Sequence, residues 1–304
     1  MREQSMVPEP RFESYYGRPI LKEPTWKNPD VPLYLFAGGL AGCSALLAEG
    51  AAVTGRPDLE RVARLAAAGG ALAGTAALVH DLGRPERFLN MLRVFKPTSP
   101  LSVGSFILAP FSALSGAAAA SQVTGWFPRL GRLAGVGAAA FGPPLATYTA
   151  ALIANTAVPA WHEAHRELPF LFGGSGAQAA GGLAMLLVPV DQAGPARRMA
   201  LAGAAIEIVA AERIMNKGLV SEPYVKGKAG RLMTAARNAT TVASIVTALA
   251  GRRSRLLSAV AGAAYVGASV ATRSGIFEAG LESARDPKYT VVPQRERVRA
   301  RMAR

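Results

Sequence analysis

"VPLYLFAGGLAGCSALLAEGAAV", Val31 to Val53, decides the fold class. A helix needs about 20 mostly apolar residues to cross the hydrocarbon core. This run is long enough and carries one charged side chain, Glu49. It has no polar stripe, so a helix made from it is apolar all round and suits lipid better than water.

Runs of the same kind recur along the chain, at Val62 to Val79, Leu101 to Val123, Leu133 to Ala157, Leu168 to Val190, Met199 to Met215, Leu232 to Ala250 and Leu256 to Thr272. None alternates polar and apolar residues at period two, and backbone polar groups in lipid must bond within their own segment, so helices are expected rather than a barrel. The expectation is an all-α membrane protein of about eight transmembrane helices; the second and sixth runs are short, which leaves seven as the other count. Residues 1–30 read as an extension, 31–272 as the membrane domain and 273–304 as a basic tail. Gly and Ala fill the runs ("AGGLAG", "GGSGAQAAGG"), as close helix packing without water requires. Pro110, Pro143 and Pro144 fall inside runs and should kink them.

The net charge of +14 does not point to nucleic acid, because the basic residues lie between apolar runs rather than on one face among aromatics. With eight spans, about 23 of the Lys and Arg residues fall on the side of the two termini and about 10 on the other, so both ends are expected in the cytoplasm and the chain in the plasma (inner) membrane. No apolar core of a cleavable signal peptide is visible in the first thirty residues, and the first span is expected to act as its own insertion signal. The single cysteine, Cys43, excludes an internal disulfide and an iron-sulfur cluster held by this chain's own thiolates.

Three histidines, His80, His162 and His165, are too few for stacked haems, and "WHEAH" lacks the H-E-x-x-H spacing of a zinc site. No metal or haem is expected on the chain. Ionisable residues within spans are costly unless paired or lining a polar cavity. Glu49, Glu207 and Arg237 qualify. Glu207 and Arg237 read either as a structural pair between neighbouring helices or as part of a proton path. At one predicted membrane face, Tyr34, Tyr148, Asn155 and His162 collect with Trp161 near Asp81. Flat walls, hydrogen-bond donors and a nearby acid or base are what a quinone requires. The polar interruption "VHDLGRPERFLNMLRVFKPTSPLSVGSF", Val79 to Phe106, joins spans two and three on that face; His80 and Asp81 are its candidates for quinone protons, and the basic residues beyond them for docking or topology.

The sequence resembles the NrfD family, membrane subunits of polysulfide-reductase-like oxidoreductases, from about Trp26 to Ala271. "LYLFAGGLAG", "DLGRPERF", "KPTSPLSVGSF" and "ANTAVPAWHEA" carry the resemblance. It implies two four-helix bundles that hold no metal and bind a quinone, menaquinone or ubiquinone, near one face, with contacts at Tyr34, Tyr148 and Asn155. It further implies a ferredoxin-like iron-sulfur subunit docked over that site and a molybdopterin oxidoreductase beyond it. Phe277 to Arg304 then reads as an arm lying on the soluble partner. Two other classes remain open: a multi-span transporter, and a redox-inactive anchor for a soluble enzyme.

Overall fold

The computed structural model describes residues 20–84 and 86–302. Eight long helices make the body: α1 (Asp30–Val53), α2 (Pro57–Asp81), α4 (Pro100–Thr124), α5 (Pro128–Ala154), α7 (Leu168–Leu187), α8 (Gly194–Met215), α10 (Gly227–Leu249) and α11 (Arg255–Arg285). Four short helices lie between or after them: α3 (Glu86–Met91), α6 (Pro159–Glu163), α9 (Glu222–Val225) and α12 (Lys288–Met302). No strand occurs among the described residues. Proline in the first turn opens α2, α4, α5, α7 and α8, where its missing N–H costs nothing. Ser99 and Ser254 cap α4 and α11 by accepting from the amides of Ser102 and Leu257.

Six of these helices, α1, α2, α4, α5, α7 and α11, are long and apolar enough to cross a membrane. The other two long helices, α8 and α10, carry more charge but still turn Ile206, Val209, Val242, Ile245 and Leu249 outward. Leu72, Leu130, Leu133, Phe170 and Leu256 are likewise exposed, and Ala, Gly, Ser and Thr are numerous in the interior beside Leu, Phe and Tyr. An apolar outer surface around such an interior is that of an all-α, multi-pass membrane protein.

The long helices form two units of the same connectivity. In the first, α1 packs on α2 and α5, and α5 on α4; in the second, α7 packs on α8 and α11, and α11 on α10. Close approach is made by absent side chains. A Cβ on Gly42 or Gly142 would run into the other's backbone where α1 crosses α5, and Gly182 and Gly262 do the same where α7 crosses α11. Gly39 and Gly176 bring α1 against α7 and so join the units.

Helices α4 and α5 each keep their prolines, Pro110 and the pair Pro143 and Pro144, within one helical span. Two expectations change. The last long helix ends at Arg285 rather than Thr272, because the polar residues there find partners inside the protein; Arg273, assigned from sequence to a basic tail, is fully buried. Phe277 is buried against Trp161 and so is no part of an arm; only α12 lies outside the body.

Because the long helices alternate in direction, α3, α6, α9, α12 and residues 20–29 all gather at one end of the molecule. The opposite end has only short turns. The bulky end, called the capped face below, is where most of the sequence-selected residues lie.

Candidate functional site

The segment leading into α1 is stitched to the capped face. The Lys27 amide donates to Asp81 Oδ1 at 2.8 Å, Lys27 Nζ donates to the His80 carbonyl at 3.1 Å, and Trp26 stacks on Trp161 with ring centroids 5.5 Å apart. Asp81 therefore closes α2 onto the N-terminal segment, and its neighbour His80 turns outward. His80 Nδ1 sits 2.7 Å from Asp30 Oδ2; the histidine side chain is 76% exposed and the carboxylate 15%.

Asp30 and Tyr34 are one turn apart on the same face of α1. Below that ion pair Tyr34 is buried, with its ring edge-on to Tyr148 of α5 at 6.4 Å between centroids. Two glycines make room for the aromatic pair. Gly74 of α2 lies against the Tyr34 ring, and a Cβ on Gly104 of α4 would occupy the space of the Tyr148 ring. The Tyr148 hydroxyl is buried and has no hydrogen-bond partner among the described residues. A buried donor left unpaired costs about 1–3 kcal/mol, which makes this group a strong candidate for contacting a ligand oxygen.

Asn155 and His162 are near one another but not in that pair. Asn155 follows the last turn of α5 and is exposed; His162, on α6, is exposed with Nδ1 3.2 Å from the Ala154 carbonyl. Both line the surface of the capped face. Trp161, between them and the core, is fully buried: its Nε1 donates to the Ile276 carbonyl at 2.7 Å, and its ring fills the space left by Gly280.

The charged residues inside the spans fall into separate places. Glu207 of α8, 5% exposed, accepts from Gln178 Nε2 of α7 and from Thr272 Oγ1 of α11, each at 2.5 Å. Thr240 of α10 donates to Gln178 Oε1 at 3.3 Å, so one carboxylate and one amide tie all four helices of the second unit. Arg237 does not pair with Glu207. It faces Glu212 at 3.4 Å and is half exposed, because the Glu207 oxygens are already taken from the α7 and α11 sides. Glu49 lies in the first unit toward the opposite face, 3.1 Å from Arg64, which also meets Glu60 at 2.9 Å.

Sequence reasoning passed over Asp30, Gln178 and Arg273. Gln178 is the one amide in "GGSGAQAAGG", which is a signal in itself; Asp30 offered none, since a carboxylate before a first turn is an ordinary helix start. Arg273 is held between the units: Nη2 donates to the Phe172 carbonyl at 2.6 Å, and the guanidinium lies 3.8 Å over the Phe172 ring. Its Nε and Nη1 have no hydrogen-bond partner among the described residues.

Residues 23–193 match the model of the family described as polysulphide reductase, NrfD. The chain belongs to the NrfD family. The match begins in the segment that Asp81 and Trp161 hold, covers the whole first unit and α7, and stops just before α8. The NrfD region thus contains Asp30, Tyr34, His80, Asp81, Tyr148, Asn155 and His162, whereas Glu207, Arg237 and Arg273 lie beyond it. NrfD proteins are membrane subunits of polysulfide-reductase-like complexes, and this chain is such a subunit. No curated protein matches the sequence.

Proposed function

We propose that the chain is the quinone-reactive membrane subunit of a multi-subunit oxidoreductase, exchanging electrons at the capped face with a ferredoxin-like iron-sulfur subunit that a molybdopterin enzyme adjoins. The observation that carries this reading is the buried, unpartnered Tyr148 hydroxyl in the aromatic pair with Tyr34, just beneath the His80–Asp30 ion pair. These residues carry the chemistry a quinone needs: two flat rings, seated against Gly74 and Gly104, offer walls, and Tyr148 offers a donor for a carbonyl oxygen.

A bound quinone, menaquinone or ubiquinone, supplies the acceptor of two electrons and two protons. The chain's own residues do the rest. Tyr148 would orient the ring by donating to a carbonyl oxygen, and Tyr34 would pack beside it. Asp30 and His80 hold an exchangeable proton at Nδ1 where the site meets water, and Asp81 positions them through the Lys27 amide. Asn155 and His162 stand at the rim. Glu207 and Glu49 are the proposed sites of a proton path in the two units. Arg237 joins that path only through the small cavity that it and Glu207 both line.

Support for the partner comes from the family and from exposed Arg84, Arg93, Lys96, Arg295 and Arg299 on the capped face. These residues favour a cytoplasmic position for that face and both termini in the plasma membrane.

The test uses the purified complex. Tyr148→Phe should lower quinone turnover about 5- to 30-fold while the partner's activity with a soluble dye is retained, as loss of one hydrogen bond worth about 1–2 kcal/mol requires. Unchanged quinone turnover would support the anchor reading; uptake of a solute by the isolated chain in liposomes would support the transporter reading.

A further inference from the structure

A groove of about 540 Å³ runs along the outer surface of the second unit between the start of α7 and the end of α8. Its walls are Phe170, Ala205, Ile206 and Val209, and its mouth at the capped face carries Arg166 and Arg213. On α8 the lining positions 206, 209, 210 and 213 follow the three- and four-residue spacing of one helical face, so the groove is a continuous apolar track with its cations at one end. Phe170, Ile206 and Val209 are all exposed.

The charges at the mouth are unbalanced. Glu167, the acidic residue of the lining, is matched by Lys217 at 2.9 Å. Arg213's neighbour Glu212 is matched by Arg237. Arg166 and Arg213 have no ion pair or side-chain hydrogen bond among the described residues. Two free guanidiniums therefore stand where the headgroup layer begins, above a track that descends about 12 Å along α8 into the hydrocarbon.

From this geometry we propose that the groove binds one anionic phospholipid, with its phosphate on Arg166 and Arg213 and an acyl chain along Phe170, Ile206 and Val209. Guanidinium forks match phosphate oxygens, and a zwitterionic headgroup would bring a second cation to a mouth that is already positive. The occupant holds α7 and α8 together on the side away from α10 and α11, at the foot of the Glu207 network.

Native mass spectrometry of the whole chain in mixed micelles tests this with phosphatidylglycerol as probe. R166Q/R213Q should weaken the tightest phosphatidylglycerol step about 30-fold, from about 1 kcal/mol per cation. R166K/R213K should keep most of it, and R252Q/R253Q at the opposite face should leave it unchanged. Ala205→Trp, which fills the track but spares the arginines, should also abolish the tight step. Equal binding of phosphatidylcholine, competition by inorganic phosphate alone, or an R166Q/R213Q variant that binds as the native chain does would overturn the proposal. So would a tight step that moves to menaquinone, which would give the groove to the electron carrier and leave the Tyr148 test standing on its own result.

Discussion

Trp161 occupies a position where a span-end indole normally anchors at the membrane surface, yet it closes the core between α6 and α11. Trp161→Ala should therefore cost about 3–5 kcal/mol, read as a loss of unfolding free energy in mild detergent, where a surface anchor would lose far less. Gly280→Ala should destabilise in the same assay by about 1–3 kcal/mol, since its methyl meets the indole. The Glu207 network offers a sharper check. Glu207→Gln replaces one of two accepting oxygens by N–H₂, so the charge-assisted bonds from Gln178 and Thr272 cannot both persist, and it should cost about 1–3 kcal/mol. The exchange Q178E/E207Q restores one donor to each acceptor, and a double-mutant cycle should show about 0.5–3 kcal/mol of favourable coupling. Absence of coupling would mean that Glu207 is held by packing alone. At this scale the residue types in the chain suggested which groups are costly to bury, but not which partners relieve that cost.

At the scale of the element, the short C-terminal helix is the clearest case. α12 is tied down by its ends: Lys288 meets Glu222 at 3.2 Å, Tyr289 donates to the same carboxylate at 3.2 Å, and Arg297 pairs with Glu163 of α6. The Lys226 and Lys288 ammonium groups hold the Glu222 carboxyl down to about 2, well below the usual carboxylate range. A depressed carboxyl contributes its stabilisation above its unfolded value and loses it as pH falls through the folded one. The hydrogen-exchange protection of α12, measured against the intrinsic rate at each pH, should thus hold from neutral pH down to about 4 and fall as pH approaches about 2. In Glu222→Gln the protection should be low throughout. Deleting the residues after Asp286 should weaken co-purification with partner subunits while the eight long helices remain folded. The long elements themselves were largely legible, because length, apolar run and flanking proline are local properties; the extension of α11 to Arg285 was not, since burial of Arg273 depends on Phe172 in another helix.

For the whole molecule, the proposed orientation rests on alternating helix direction and the distribution of basic residues. With Cys43→Ala as background, a cysteine introduced by His165→Cys should be labelled by a membrane-impermeant reagent only after the cytoplasmic side is opened, and one from Thr54→Cys should be labelled from outside. The reverse pattern would invert the proposed orientation and move the partner across the membrane. The two units repeat one another's packing through paired glycines, and a further pair, Gly39 and Gly176, lets the backbones of α1 and α7 touch where the units join. Gly176→Leu should separate them and lower the thermal midpoint more than the same change at Gly50, where nothing lies within 4 Å.

Sequence alone determined the solvent, the helical class, the placement of the long segments and the common side of the loops bearing His80, Asp81, Asn155 and His162. Hydropathy and charge are properties of contiguous residues, and the bilayer reads them span by span. Tertiary structure decided the partnerships: His80 with Asp30, Tyr34 with Tyr148, and Glu207 with Gln178 and Thr272 instead of Arg237. Those depend on which helices are neighbours and how each is rotated about its axis. In a lipid-facing bundle that rotation is set by where small residues let two backbones touch, a match between distant segments that no single span records.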